Sequence, residues 1–145
     1  MSELSTSTIS IDAPLESVRA ILFDLAGYPT WSTAIKSAEV KQSDDQGRAT
    51  SVKVSIDAGM MKDRVLLNYD WSQAPERLEF SLEEADLLTA MNGAYITKAI
   101  DGDTTSVTYE LGVEVSMPIP DMMRTKAEKA TIDQALAQLK AHAEE

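Results

Sequence analysis

The sequence contains no cysteine and a single histidine. Disulfide bonds and thiolate metal sites are therefore excluded, and a metal site built from imidazoles is not expected. No apolar run approaches the roughly 20 residues of a membrane span. Residues 1–10 are polar and lack the basic stretch followed by an apolar one that marks a secretory signal. We therefore expect a cytoplasmic protein with no metal and no other cofactor.

Positive charge is also scarce. The chain carries 13 Lys and Arg against 24 Asp and Glu, for a formal net charge of -11. Nucleic acids and anionic membranes are bound through concentrated Lys and Arg surfaces. We therefore expect no nucleic-acid partner and no stable membrane association. The expected partner is a small hydrophobic or amphipathic ligand, bound by a monomer or homodimer.

The length and composition are those of an ordinary folded domain. At 145 residues, with 43% hydrophobic and 26% charged residues, the chain is long enough for one hydrophobic core. We expect residues 1–145 to form a single ligand-binding domain.

Hydrophobic periodicity predicts the order of the elements. Residues 6–11 alternate as a strand, and Asp12 is placed to cap a helix that ends at Gly27. Tyr28 to Trp31 indicates a second short helical turn. Six further strands follow, separated in part by polar turns at 44–47, 73–76 and 101–104. Gly93 interrupts the least regular strand, 88–100, where we expect a bulge.

The last predicted element is a helix from Asp121 to about Ala143, with apolar residues at helical spacing. Its solvated face is predicted to carry Lys126, Glu128, Lys129, Gln138 and Lys140. The predicted fold class is therefore α+β, with a curved seven-stranded antiparallel sheet, two short helices after the first strand, and the long C-terminal helix across the concave face. An apolar pocket is expected between sheet and helix.

The pocket is expected to open at one end of the sheet, where methionines and aromatic residues collect. Methionine adapts to apolar ligands of varied shape, although the same residues could simply fill the core. Tyrosines on inward strand positions could present hydroxyl groups to a polar end of the ligand. The candidates for lining the cavity are Trp31, Met60, Tyr69, Trp71, Phe80, Met91, Tyr95, Tyr109, Val113, Met117, Met122 and Met123.

Signals for chemistry are weaker. Asn92 and Thr97 would be polar groups in the cavity if they face inward, but Gly93 leaves their facing open. His142 lies near the end of a charged helix, and no partner for a catalytic base is evident. The sequence has no glycine-rich phosphate loop and no nucleophile elbow. No catalytic residue is therefore assigned.

Four segments carry a resemblance to a known family: Ser-Ile-Asp-Ala-Pro at 10–14, DLAGYPTW at 24–31, DGDTTSVTY at 101–109 and ALAQLK at 135–140. Together they resemble the START-like, or Bet v 1-like, superfamily, and within it the bacterial polyketide cyclase/dehydrase group. The resemblance covers nearly the whole chain. It implies a helix-grip fold and a cavity that binds lipids, sterols, polyketides, quinones or hormones. It implies no reaction, because many members only bind.

Three functions follow as hypotheses. The leading one is noncatalytic binding of a mostly apolar small molecule, held by tyrosine hydroxyls or by Asn92. The first alternative is an enzyme that cyclises or dehydrates a polyketide-like substrate, with Tyr or Asp groups moving protons. The second alternative is a protein-interaction module that uses a patch of Leu66, Ile96 and Ile100.

Overall fold

A computed structural model describes residues 4–57, 62–116 and 119–145 of the chain. The elements, in chain order, are β1 (Ser5–Ile11), α1 (Leu15–Phe23), a 3₁₀ turn (Leu25–Gly27), α2 (Tyr28–Trp31), β2 (Ile35–Ser43), β3 (Ala49–Asp57), β4 (Lys62–Asp70), β5 (Arg77–Ala85), β6 (Leu88–Asp101), β7 (Thr104–Val115) and α3 (Asp121–Ala143). The predicted order of strand, two short helices, six strands and a long helix is confirmed.

The strands form one antiparallel sheet in the order β1-β7-β6-β5-β4-β3-β2. The first strand returns to pair with the last, and the other strands follow one another as hairpins. Alternating residues on each strand face inward, as Val107, Tyr109 and Leu111 do on β7. This period-two pattern gives the sheet one apolar face, which α3 covers in part.

The bulge predicted at Gly93 is wrong. Met91, Gly93, Tyr95 and Thr97 face inward without a break, and the irregular pairings of β6 fall at its two ends, at 88–90 and 99–101. Gly93 is instead a point of close packing. A Cβ there would overlap the carbonyl oxygen of Glu110 and come within 2.9 Å of the Phe80 ring.

We therefore expect Gly93→Ala to lower the free energy of unfolding by about 1–3 kcal/mol, because the added methyl overpacks the sheet. Gly102→Ala is the matched control, since a Cβ there meets nothing within 4 Å; its effect should stay within about 0.5 kcal/mol. Urea denaturation of both variants checks this. Equal stabilities would contradict the packing role of Gly93.

The predicted cap of the first helix is also wrong. Asp12 makes no side-chain cap; Pro14 precedes the first turn of α1, and its fixed φ suits that position. The helix buries Val18 and Leu22 and ends at Phe23, so Gly27 closes the following 3₁₀ turn rather than α1. The second short helix, α2, lies where it was predicted.

Helix α3 lies closest to β1 and β7, and buries Ile132, Leu136 and Leu139 against the sheet. It also covers the outer edge of β1. Lys129 Nζ donates to the carbonyl oxygen of Thr6 (2.7 Å), and Lys140 Nζ donates to that of Ser10 (3.0 Å). Cationic side chains at an edge strand discourage pairing with another chain.

Glu128 corrects the predicted polar face of α3. Its side chain is fully buried rather than solvated. The carboxylate accepts hydrogen bonds from Ser5 Oγ (2.7 Å), from the backbone N–H of Val113 (2.7 Å) and from Arg124 Nη1 (3.1 Å). Val113 lies beyond the last residue of β7 that β1 pairs with, so Glu128 satisfies a backbone donor where the β1–β7 ladder stops.

Candidate ligand-binding site

A cavity of about 60 Å³ lies between the concave face of the sheet and α3. The apolar strand positions form its floor, and the middle of α3 forms its roof. The lining residues are Tyr28, Ser32, Ala34, Ile35, Val54, Ile56, Leu67, Tyr69, Phe80, Met91, Tyr95, Tyr109, Thr131, Gln134, Ala135 and Gln138. A concave, mostly apolar space with a few polar groups is the usual form of a small-molecule site.

Aromatic rings make up one continuous wall of the cavity. All four tyrosines of the chain are part of it, at positions 28, 69, 95 and 109. The rings of Tyr95 and Tyr109 stack, with centroids 4.2 Å apart and planes inclined by 22°. Phe80 lies 6.4 Å from Tyr109 and 5.9 Å from Tyr69. These contacts hold the rings in fixed orientations.

Burial keeps the four phenols in their neutral form. Loss of solvation is the largest cause in each case, since it penalises the phenolate. It raises the pKa of Tyr109 to about 12, and it raises the pKa values of Tyr28, Tyr69 and Tyr95 further above the ordinary value. At neutral pH these side chains are therefore O–H donors and not phenolate bases.

The tyrosine hydroxyls differ in what they already bind. Tyr28 Oη donates to the carbonyl oxygen of Leu22 over 2.6 Å. Tyr69, which is partly buried, makes no hydrogen bond through its hydroxyl to the described part of the chain; its perturbed pKa reflects burial and the neighbouring phenol of Tyr109. Tyr69 is therefore the phenol best placed to bind something else.

Three hydrogen bonds join α3 to the segment between α2 and β2, beside the cavity. Gln138 accepts from the backbone N–H of Thr33 (3.0 Å) and donates to its Oγ1 (2.7 Å), while Gln134 donates to the same oxygen (3.0 Å). We call Thr33, Gln134 and Gln138 the Thr33 latch. All three bonds are exposed to water, so breaking them costs less than breaking buried ones.

Five of the residues predicted for the cavity line it: Tyr69, Phe80, Met91, Tyr95 and Tyr109. Each lies at an inward position of a central strand, which strand alternation indicates from the sequence. The middle of α3, including Thr131 and Gln134, also lines the cavity, and none of its residues was among the candidates. Their position on the helix next to Ile132 and Ala135 is the one sequence signal for this placement. Because both side chains are polar, they were not expected beside an apolar cavity.

The two tryptophans lie elsewhere. Trp71 packs at the far end of the sheet, where its indole N–H donates to the carbonyl oxygen of Ala49 (2.7 Å) and its ring meets Phe23 (5.3 Å). Trp31 is buried against the ring of Tyr28 (5.0 Å) but lines a separate hollow of about 220 Å³ beside His142. Its indole N–H has no partner among the described residues.

The remaining candidates also fall outside the cavity lining. Val113 is buried next to Glu128, and Met122 and Met123, in the first turn of α3, are exposed by 82% and 50%. Met60 and Met117 lie outside the described residues. The predicted concentration of methionines at a mouth is therefore not found in the part of the chain described.

Asn92 and Thr97 lie on opposite faces of β6, as the alternation of side chains along a strand requires. Asn92 is exposed on the outer face of the sheet, which corrects its suggested role in holding a ligand. Thr97 faces inward and is buried, but its Oγ1 accepts from Arg19 Nε (2.9 Å), away from the cavity. With Gly93 in regular strand geometry, no change of phase brings Asn92 inside.

A larger hollow of about 540 Å³ lies on the outer face of the sheet. Its charged side chains include Lys53, Arg64 and Asp86, and the last two form an exposed ion pair of 3.5 Å. An open surface of paired charges is a poor small-molecule site. Within residues 4–57, 62–116 and 119–145, no group of three or more His, Cys, Asp or Glu side chains could hold a metal ion.

Comparison with known proteins decides the family. Residues 4–144 match the family model described as "Polyketide cyclase / dehydrase and lipid transport". The chain belongs to this polyketide cyclase/dehydrase and lipid transport family. The resemblance found in the sequence is thereby confirmed. No relative was found among the curated proteins.

Two solved structures have the same fold. A START superfamily protein from Mycobacterium smegmatis has a TM-score of 0.93 at 20% identity, over 99% of this chain and 98% of that one. The Zhui aromatase/cyclase from Streptomyces sp. R1128 has a TM-score of 0.78 at 16% identity, over 97% and 93%. At these identities the likeness shows the helix-grip fold alone. In the described part of this family member, no helix is both long and apolar enough to cross a bilayer.

Proposed function

We propose that this protein binds a mostly apolar small molecule in the cavity between the sheet and α3. The observation that carries the proposal is the tyrosine-rich wall. Four phenols converge on one apolar space, and burial keeps each neutral. The Tyr69 hydroxyl binds no described residue, and a ligand acceptor in the cavity would give it a partner. The family description, which includes lipid transport, agrees with this function.

The cavity is narrow, and we propose that this is a closed form. Its 60 Å³ is far below the roughly 300–1,000 Å³ of typical ligand pockets. The exposed Thr33 latch is the feature that allows it to widen, since α3 lies close to β1 and β7 but reaches the α2–β2 segment mainly through amide and hydroxyl groups. We propose that a ligand enters as these bonds exchange with water and α3 moves away from Thr33.

Catalysis is the second candidate, because the Zhui protein is an aromatase/cyclase. The titratable side chains that line the cavity are tyrosines, and their raised pKa values suit them to donate hydrogen bonds rather than to accept a proton. We therefore propose binding as the function and leave any covalent step out of it.

The interaction-module alternative gains less support. Leu66 pairs with Glu84 of β5, whereas Ile96 pairs with Arg77, seven residues further along the same strand. At about 3.3 Å per residue this separates the two side chains by roughly 20 Å. They do not form one apolar patch, and Ile100 lies further out at the end of β6.

Filling the cavity from α3 tests the proposal. Ala135 lines the cavity, whereas Ala137, two residues away, is exposed on the opposite face. We expect Ala135→Phe to weaken binding of the neutral fluorescent probe N-phenyl-1-naphthylamine by at least about tenfold, because the new ring occupies the ligand's space. Fluorescence titration measures the affinity.

Ala137→Phe is the matched control and should bind the probe as the unmodified protein does. Ala135→Leu adds less volume and gives a second reading if the phenylalanine variant does not fold. Probe binding that is unchanged in the Ala135 variants would place it on the surface and overturn the proposal. So would a failure of the unmodified protein to bind the probe.

A further inference from the structure

We infer that the cavity selects an uncharged ligand, and that Tyr69 Oη donates a hydrogen bond to an acceptor on it, such as a ketone or ester oxygen. This inference rests on the proposed binding function and names its ligand class. We expect the cavity to bind a neutral ketone or ester more tightly than the carboxylate of the same carbon skeleton.

The first step is the charge of the lining. The described residues that line the cavity include no Asp, Glu, Lys, Arg or His. A ligand carboxylate placed there would lose its hydration without gaining a cationic partner, and burial of an unpaired ion is strongly unfavourable. The raised pKa values of the tyrosines point the same way, because the surroundings that disfavour a phenolate also disfavour other anions.

Among the four phenols, Tyr69 is the one whose hydroxyl group is free of described partners. Tyr28 already donates to the carbonyl oxygen of Leu22, and the pKa values of Tyr95 and Tyr109, whose rings stack, reflect a hydrogen bond between their side chains. Tyr69 lies across Phe80 from this stack, on β4, with a hydroxyl that binds no described residue. A phenol in this state donates to any acceptor brought within reach.

The α3 side of the cavity is polar but carries no charge. Thr131, Gln134 and Gln138 are the polar residues of α3 that line the cavity, and all are uncharged. Both glutamines are engaged with Thr33 in the closed form. They offer amide groups but no counterion, so opening the latch does not create a site for an ionised group.

Three naphthalenes of equal ring size test the inference by displacing N-phenyl-1-naphthylamine at pH 7. The ketone 2-acetylnaphthalene carries an acceptor, 2-ethylnaphthalene carries none, and 2-naphthoate is charged. Because all three compounds require the same widening of the cavity, the differences between their affinities arise from the functional group. We expect the ketone to bind about two- to tenfold more tightly than the ethyl compound. The carboxylate should bind at least about tenfold more weakly than the ketone.

Tyr69→Phe should abolish the preference for the ketone over the ethyl compound and leave the ethyl compound's affinity nearly unchanged. Ser81→Ala is the control, because it removes a hydroxyl group from an exposed position on β5; the preference should remain. Tyr69→Phe keeps the ring, and circular dichroism confirms that both variants fold. A preference that survives Tyr69→Phe overturns the role of Tyr69.

Displacement by 2-naphthoate as effective as that by the ketone overturns the charge selection. Both of these results leave the proposed function intact, because the probe still binds and Ala135→Phe still blocks it. Failure of the probe to bind the unmodified protein would instead overturn the proposed function and this inference together. The two are therefore separated by a single set of titrations.

Discussion

Replacing Glu128 with alanine is expected to lower the free energy of unfolding by about 3–5 kcal/mol, the usual cost of removing one partner of a buried ion pair. The substitution leaves Ser5 Oγ and the backbone N–H of Val113 without their acceptor. It also leaves Arg124, whose side chain is only 15% exposed, without its closest carboxylate. Urea denaturation followed by circular dichroism measures the loss.

Asp133→Ala is the control on the same helix, because Asp133 is exposed. It should change the free energy of unfolding by no more than about 0.5 kcal/mol. Glu128→Gln should give an intermediate loss, since the amide oxygen keeps one acceptor but the charge is gone. A loss below about 1 kcal/mol for Glu128→Ala would mean that the carboxylate contributes no more than a surface ion pair does.

Glu128 also shows where reading the sequence by residue type fails. It precedes Ile132 by four residues, so helical spacing places it on the buried face with Leu136 and Leu139. A glutamate is rarely buried, and that general preference outweighed the spacing. Arg124 lies on the same helix, but the other two partners lie on β1 and β7, more than a dozen residues away in each case. Only the folded chain brings them together.

The sheet, by contrast, was predictable because strand alternation is a local property. Tyr69 and Tyr109 were placed inward from their own strands, and the structure puts both on the cavity wall. The alternation of side chains along a strand does not indicate how far along the sheet a residue lies from the cavity. Trp71 shares the phase of Tyr69 but lies at the end of the sheet, beyond the cavity, where it contacts Arg48 and Phe23.

The small volume of the cavity could not be predicted either. Its volume depends on how far α3 stands from the floor, and that distance is set by packing of its apolar face on the sheet and by the Thr33 latch. The spacing of residues in the sequence predicts neither of these contacts. The ligand class inferred from the lining depends on which polar residues of α3 border the cavity, such as Thr131, and this too required the structure.

The second large effect expected is a loss of stability at alkaline pH. The pKa of Tyr109 is about 12 in the folded protein and about 10 when the chain is unfolded. Between these values the folded state holds a proton that the unfolded state has lost, so the free energy of unfolding falls as pH rises. The contribution is fully present below pH 10 and is lost by about pH 12. Two pKa units correspond to about 3 kcal/mol from this residue alone.

Because all four tyrosines of the chain line the cavity, a spectroscopic titration gives the sharper test. Phenolate absorbance at 295 nm should stay near zero through pH 10 in the folded protein and then rise together with unfolding, while the chain in guanidinium chloride titrates near pH 10. Tyr109→Phe should make the free energy of unfolding less dependent on pH above 10, and the difference between the two proteins isolates Tyr109 from the lysines. A phenol that titrates reversibly near pH 10 while the fold persists would show that water reaches the cavity wall, and the closed form described for it would then be wrong.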